Sequence, residues 1–178
     1  MSFTTRAIAL SAATIGVILL AGCASATPPA TPTNLTKAAD VVTMTDAWVK
    51  SSEEDTSAAF GFLENNSDAN VNVVSVTTDA AGMPELHETV TNESGEMVMR
   101  PVEGGFVIPA GGKLELAPGG NHIMLMDLTD NLDAGEEVTI ELTFSDDSSF
   151  AFTAPVKDYA GANETYEGGD DRESGVDG

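Results

Sequence analysis

Between about Val41 and Lys157, hydrophobic residues recur at every second position in short runs, and Gly, Pro, Asn, Asp and Ser separate the runs. The segments "VVTMTDAWVK", "AAFGFLEN", "NVNVVSVTTD", "ELHETV", "EMVMRPV", "KLELA", "HIMLMDL", "EVTIELTFSD" and "SFAFTAPV" carry this pattern. Period-2 alternation sends successive side chains to opposite faces of a strand, so each run predicts a short β-strand with one face buried. Several such strands with turn residues between them predict an all-β, antiparallel β-sandwich or barrel. No part of the region carries the stripe of a long amphipathic helix. The expected interior includes Trp48, Phe60, Phe62, Val74, Val76, Leu116, Ile140, Leu142, Phe144, Phe150 and Phe152.

One strand departs from simple alternation. "NHIMLMDL", residues 121–128, is apolar on both faces. Its period puts Ile123 and Leu125 on one side and His122, Met124 and Met126 on the other. Val or Leu would pack the second face as well as Met does, so the choice of sulfur and imidazole invites a chemical reading.

The flanks of the region read differently. A lone Arg6, an apolar run from Ala7 to Leu20 and the ending "LLAGC" form a secretory signal, and a cysteine in that place resembles the bacterial lipobox. The run is shorter than the roughly 20 residues that a membrane span needs. The expected organisation is therefore a lipoprotein signal peptide over 1–22, lipid on Cys23, an Ala/Thr/Pro-rich tether over 23–40 and a folded domain over 41–157. A disordered acidic tail is expected over 158–178, where seven acidic residues face a single Arg. Membrane contact is expected through the lipid, which makes the protein extracytoplasmic and anchored to the cell membrane.

Composition narrows the functions available. The chain has 178 residues and a formal net charge of −22, and so lacks the basic footprint that nucleic acid or an anionic lipid surface requires. Cys23 is the only cysteine. Once it is acylated, the domain has no disulfide, no thiol nucleophile and no thiolate ligand. The two histidines, His87 and His122, are not accompanied by a nucleophile-elbow pattern, a Walker loop or a dinucleotide fingerprint, so no enzyme is expected.

The methionines are unevenly placed. After the initiator, five of the remaining six lie between Met83 and Met126, the stretch that also holds both histidines. Thioether sulfur is a neutral, polarizable ligand that selects Cu(I), and neutral imidazole suits copper among several metals. Zinc prefers Cys, His or carboxylate, and a blue-copper site needs a cysteine sulfur. Methionine also fills irregular gaps in apolar cores, so periodicity alone leaves both a Cu(I) site and ordinary packing open.

From "ELHE" through "MRPV", "IPAGG" and "LAPGGNHIMLMDL", the chain resembles the PCu(A)C, or DUF461, family of periplasmic copper chaperones, over about Val41 to Val156. The resemblance implies a cupredoxin-like or immunoglobulin-like β-sandwich that binds one Cu(I). It also implies the ligands His87, Met99, His122 and Met124, with Met97 and Met126 as second choices. Eleven residues separate His87 from Met99 and twenty-two separate Met99 from His122, each one more than the family's usual spacing. The extra residues can sit in the turns "TNESGE" and "VEGGF", so the ligands need not move. The implied role is delivery of copper toward the CuA centre of cytochrome c oxidase, with that haem-copper oxidase subunit or another copper chaperone as partner. A copper-scavenging lipoprotein without an oxidase partner, and a β-sandwich interaction module that binds no metal, are the alternatives. Neutral histidines are needed for ligation, so Cu(I) binding is expected to weaken as pH falls through the histidine range, about 6.5. The tail has neither His nor Met, so a second copper site there is not expected.

Overall fold

The computed structural model describes residues 36–160 and the backbone of 165–166. The expected leader, Cys23 and the tether as far as residue 35 lie outside the described residues, as does most of the expected tail. A four-residue helix, α1 (Ala38–Val41), leads into β1 (Val42–Lys50), β2 (Thr56–Asn65), β3 (Val71–Thr78) and β4 (Ala81–Thr91). These are followed by β5 (Met97–Pro101), β6 (Phe106–Ile108), β7 (Lys113–Leu116), β8 (His122–Leu128), β9 (Glu137–Phe144) and β10 (Ser149–Lys157). Within the segment expected to be a disordered tail, β11 (Thr165–Tyr166) runs parallel to β5, with Tyr166 opposite Met99.

Strand order is β11-β5-β4-β8-β2-β1, with β7 also beside β2, and continues through a parallel β1–β10 contact into β10-β9-β3-β6. The two groups close on one apolar core, as the sequence pattern predicts for a sandwich. Val49, Ala59, Leu63, Ile123 and Leu125 face Val73, Ile140, Leu142, Phe144 and Ala154, and all ten are fully buried. β9 shows the alternation most cleanly: Val138, Ile140, Leu142 and Phe144 point inward while Glu137, Thr139 and Glu141 face water.

Four of the expected core positions are placed otherwise, among them Phe62, which is half-buried outside the main core with the Lys113 ammonium 4.4 Å from its ring centroid. Val74 is 46 % exposed because the β3–β9 register slips between Val73 and Ser75, which gives the inward places to Val73 and Val76. Trp48 and Phe60 lie on the other face of their sheet. The β1–β2 register shifts between Thr45 and Trp48, where Asp46 takes a φ of 52°, and past this bulge Val49 points into the core and Trp48 away from it. Gly61 makes the bulge possible. It has a φ of 143°, and a Cβ there would lie 2.9 Å from the Thr45 carbonyl oxygen. β2 is consequently buried on both sides, with Ala59 and Leu63 against the main core and Ala58 and Phe60 against a second, smaller apolar layer.

Candidate metal centre

The second layer lies on the outer face of β5, β4, β8, β2 and β1. In the antiparallel β4–β8 pair, His87 stands opposite His122, Glu85 opposite Met124 and Met83 opposite Met126. β2 places Ala58 beside Met124 and Thr56 beside Met126, and β5 places Met99 opposite Thr89. Directly opposed residues project to the same face, so the alternation of "NHIMLMDL" brings its His and Met residues over to the His-bearing face of β4. Ile123 and Leu125, both 0 % exposed, hold β8 to the main core from the other side.

The imidazoles are buried, His87 at 0 % and His122 at 2 % exposure, with ring centroids 5.7 Å apart and planes at 66°. Phe60 approaches His122 at 6.3 Å and meets Trp48 at 4.5 Å in a tilted contact, and Trp48 in turn meets Tyr159 at 5.3 Å. An aromatic wall therefore shields one side of the histidine pair. The bulge at Asp46, which the sequence pattern did not reveal, puts Trp48 on this face beside Phe60.

Hydrogen bonds fix the ring nitrogens. The Nδ1 of His122 lies 3.0 Å from the Gly120 carbonyl oxygen, which can only accept, so Nδ1 carries the proton and the lone pair is on Nε2. The Nε2 of His87 lies 2.9 Å from Oε2 of Glu85, and donation to that carboxylate puts the His87 lone pair on Nδ1. Metal-ligating histidines are commonly oriented in this way by a carbonyl or carboxylate on the far nitrogen. Glu85 is the residue that sequence reading passed over. Its one signal was a position two residues before His87, on the same face of the strand.

Met99, His122 and Met124 line one cavity of about 670 Å³, together with Ala58, Phe60, Pro118 and Gly119 and a polar rim that includes Lys50, Glu54, Asp133 and Asp158. His87 lies against His122, beneath that lining. Met97, on the same face of β5 as Met99, is 46 % exposed, does not line the cavity, and accepts a 3.3 Å hydrogen bond from the Thr91 hydroxyl at its sulfur. Met126 is buried at 8 % but is likewise absent from the lining. Among the described residues no three His, Cys, Asp or Glu side chains gather closely enough to hold an ion. The face brings together imidazole and thioether donors, a set that fits Cu(I).

The family model described as "Putative lipoprotein LpqE-like" matches residues 42–156. The chain belongs to this family. A relative in Leifsonia xyli subsp. xyli, described as "Putative lipoprotein Lxx21020", is 45 % identical over 170 residues, spanning 94 % of this chain and 100 % of the relative. Solved structures agree with the fold. The copper-bound PCuAC domain from PmoF2 superposes with a TM-score of 0.56 at 17 % identity, covering 69 % of this chain and 97 % of that domain. The apo PCuAC domain from PmoF1 gives 0.57 at 22 % identity, covering 67 % and 98 %. CuI-DR1885 from Deinococcus radiodurans gives 0.53 at 30 % identity, covering 69 % and 84 %. The PCu(A)C resemblance of the sequence and the LpqE-like family therefore lead to one architecture.

Proposed function

We propose that this LpqE-like protein is a lipid-anchored, extracytoplasmic Cu(I) chaperone whose ligands are His87, Met99, His122 and Met124. The observation that carries the reading is the convergence of Met99, His122 and Met124 on one cavity, with His87 against His122 and both imidazole lone pairs set by hydrogen bonds on the opposite nitrogens. Copper-bound neighbours of the same fold, PmoF2 and DR1885, support copper as the cargo, and the lipoprotein relative supports the anchor on Cys23.

The chemistry suits a carrier. Two thioethers and two imidazoles offer a neutral, soft set that favours Cu(I) over Cu(II) and holds it less firmly than a thiolate site does. Copper then moves downhill to an acceptor that supplies cysteine sulfur, such as the CuA centre of cytochrome c oxidase. The cavity gives the acceptor a route to Met99 and Met124 while the aromatic wall keeps water from the histidines.

Anaerobic Cu(I) titration against a competing chelator tests the site. Wild-type protein takes up one strongly held equivalent, and a His122→Ala, Met124→Leu double variant loses it. Equal uptake by the two proteins refutes the ligand set. Mixing the loaded protein with an apo CuA domain tests delivery: copper moves to the acceptor, whereas retention of copper at equilibrium identifies a scavenger.

A further inference from the structure

The outer end of the same sheet face carries a feature the four-ligand site does not use. Met83 and Met126 stand directly opposite each other on β4 and β8, two residues along from the Glu85–Met124 pair and four from the His87–His122 pair. Opposed residues of an antiparallel pair have Cβ atoms about 5 Å apart, and methionine is long and unbranched. Two thioethers so placed can therefore converge on one ion. Their burial is asymmetric, with Met83 48 % exposed and Met126 8 %.

From these positions we propose that Met83 and Met126 form a second, weaker thioether site for Cu(I), a landing place from which the ion passes to Met124 and the buried histidines. The proposal rests on the copper reading of the inner site. One exposed sulfur captures the ion and one buried sulfur retains it. The next sulfur inward, Met124, is two residues along β8, about 7 Å at strand spacing. The alternation that makes this row is broken only beyond it, with the pairing register unchanged. Asp127 adopts a φ of 58°, and past it Leu128 and its opposite residue Ala81 pack on the main core. Gly82, opposite that turn, leaves room for the Asp127 carboxylate, which would lie 2.5 Å from a Cβ at residue 82. A pair of sulfurs without imidazole binds more weakly than the four-ligand set, as an intermediate station must.

Full-length protein labelled at the methionine methyl carbons and titrated anaerobically with Cu(I) distinguishes the two sites. The first equivalent shifts the Met99 and Met124 signals; if it does not, the inner site and its function fail. The second equivalent shifts Met83 and Met126 together, and Met83→Leu weakens binding of that equivalent at least tenfold while leaving the first unchanged. In stopped-flow loading at substoichiometric copper, Met83→Leu fills the inner site several-fold more slowly. If Met83 and Met126 do not respond to the second equivalent, or if Met83→Leu binds it as wild type does, Met83 is only an exposed apolar residue and the proposal is overturned.

Discussion

Glu85 has two tasks that its charge and its hydrogen bond separate. Its carboxylate accepts from His87 Nε2 at 2.9 Å with the side chain one-third exposed, so it both orients the ring and sets which nitrogen keeps the lone pair. Glu85→Gln keeps the size and one acceptor but lets the amide donate as well, which allows the other tautomer. The expected outcome is a five- to tenfold weaker Cu(I) affinity with an unchanged melting temperature, from loss of an outer partner that usually contributes about 10- to 100-fold. Glu85→Ala should cost more, and ring-nitrogen NMR should show a mixture of His87 tautomers. The same scale separates Met99 from Met97. Met99→Leu removes a sulfur that lines the cavity and is expected to lower affinity at least tenfold, whereas Met97→Leu, at an exposed position, leaves affinity within about twofold; Cu(I) competition titrations of the two variants decide it.

At the scale of the strand, β8 was fully legible: alternation placed Ile123 and Leu125 inward and His122, Met124 and Met126 on the opposite face, and the structure has them so. β4 was legible only in part. Its readable core, "ELHETV", starts at Glu85, but the strand begins at Ala81 and passes through Pro84, which reads as a breaker. β5 accompanies β4 only from His87 to Thr91, so on that side no strand lies ready to receive an N–H from residue 84. Met83 was counted among the clustered methionines, but its place on the outer face of β4 was hidden for that reason. Trp48 was misplaced because a bulge reverses the phase of β1, and a bulge adds a residue that no period-2 count detects. The cause is testable at its partner. Gly61→Ala puts a Cβ against the Thr45 carbonyl in a conformation that L side chains rarely adopt, and should destabilise the domain by about 1–3 kcal/mol. Trp48 fluorescence should shift to the red as the indole leaves Phe60, and copper affinity should fall with it. A stable variant with unchanged emission would show that the aromatic wall does not depend on the bulge.

For the molecule as a whole, the net charge of −22 and the wide spread of acidic side chains make acid an informative perturbant. Many of the described carboxylates lie at exposed strand and turn positions. Asp146 is one with several partners. Its carboxylate accepts from the Ser148 hydroxyl at 2.6 Å, from the Ala38 backbone N–H at 2.8 Å and from the Ser148 N–H at 3.1 Å, and so ties α1 to the turn between β9 and β10. The Ser148 hydroxyl first and the Ala38 N–H second hold its pKa below the ordinary aspartate value. A group whose pKa is lower in the folded state stabilises that state above its unfolded value, and the contribution is lost as pH falls through the lowered one. The tie is therefore intact at neutral pH and released only in acid. Acidification is expected to free α1 and expose Ala38. Asp146→Asn should remove this transition, lower the melting temperature by a few degrees at neutral pH and leave Cu(I) affinity at neutral pH unchanged. Cu(I) titration at neutral pH and amide hydrogen exchange at residues 38–41 across a pH series, run on both proteins, measure the two separately. If copper affinity moves with the substitution, the anchoring of the N-terminal turn and the metal face are coupled through the core they share.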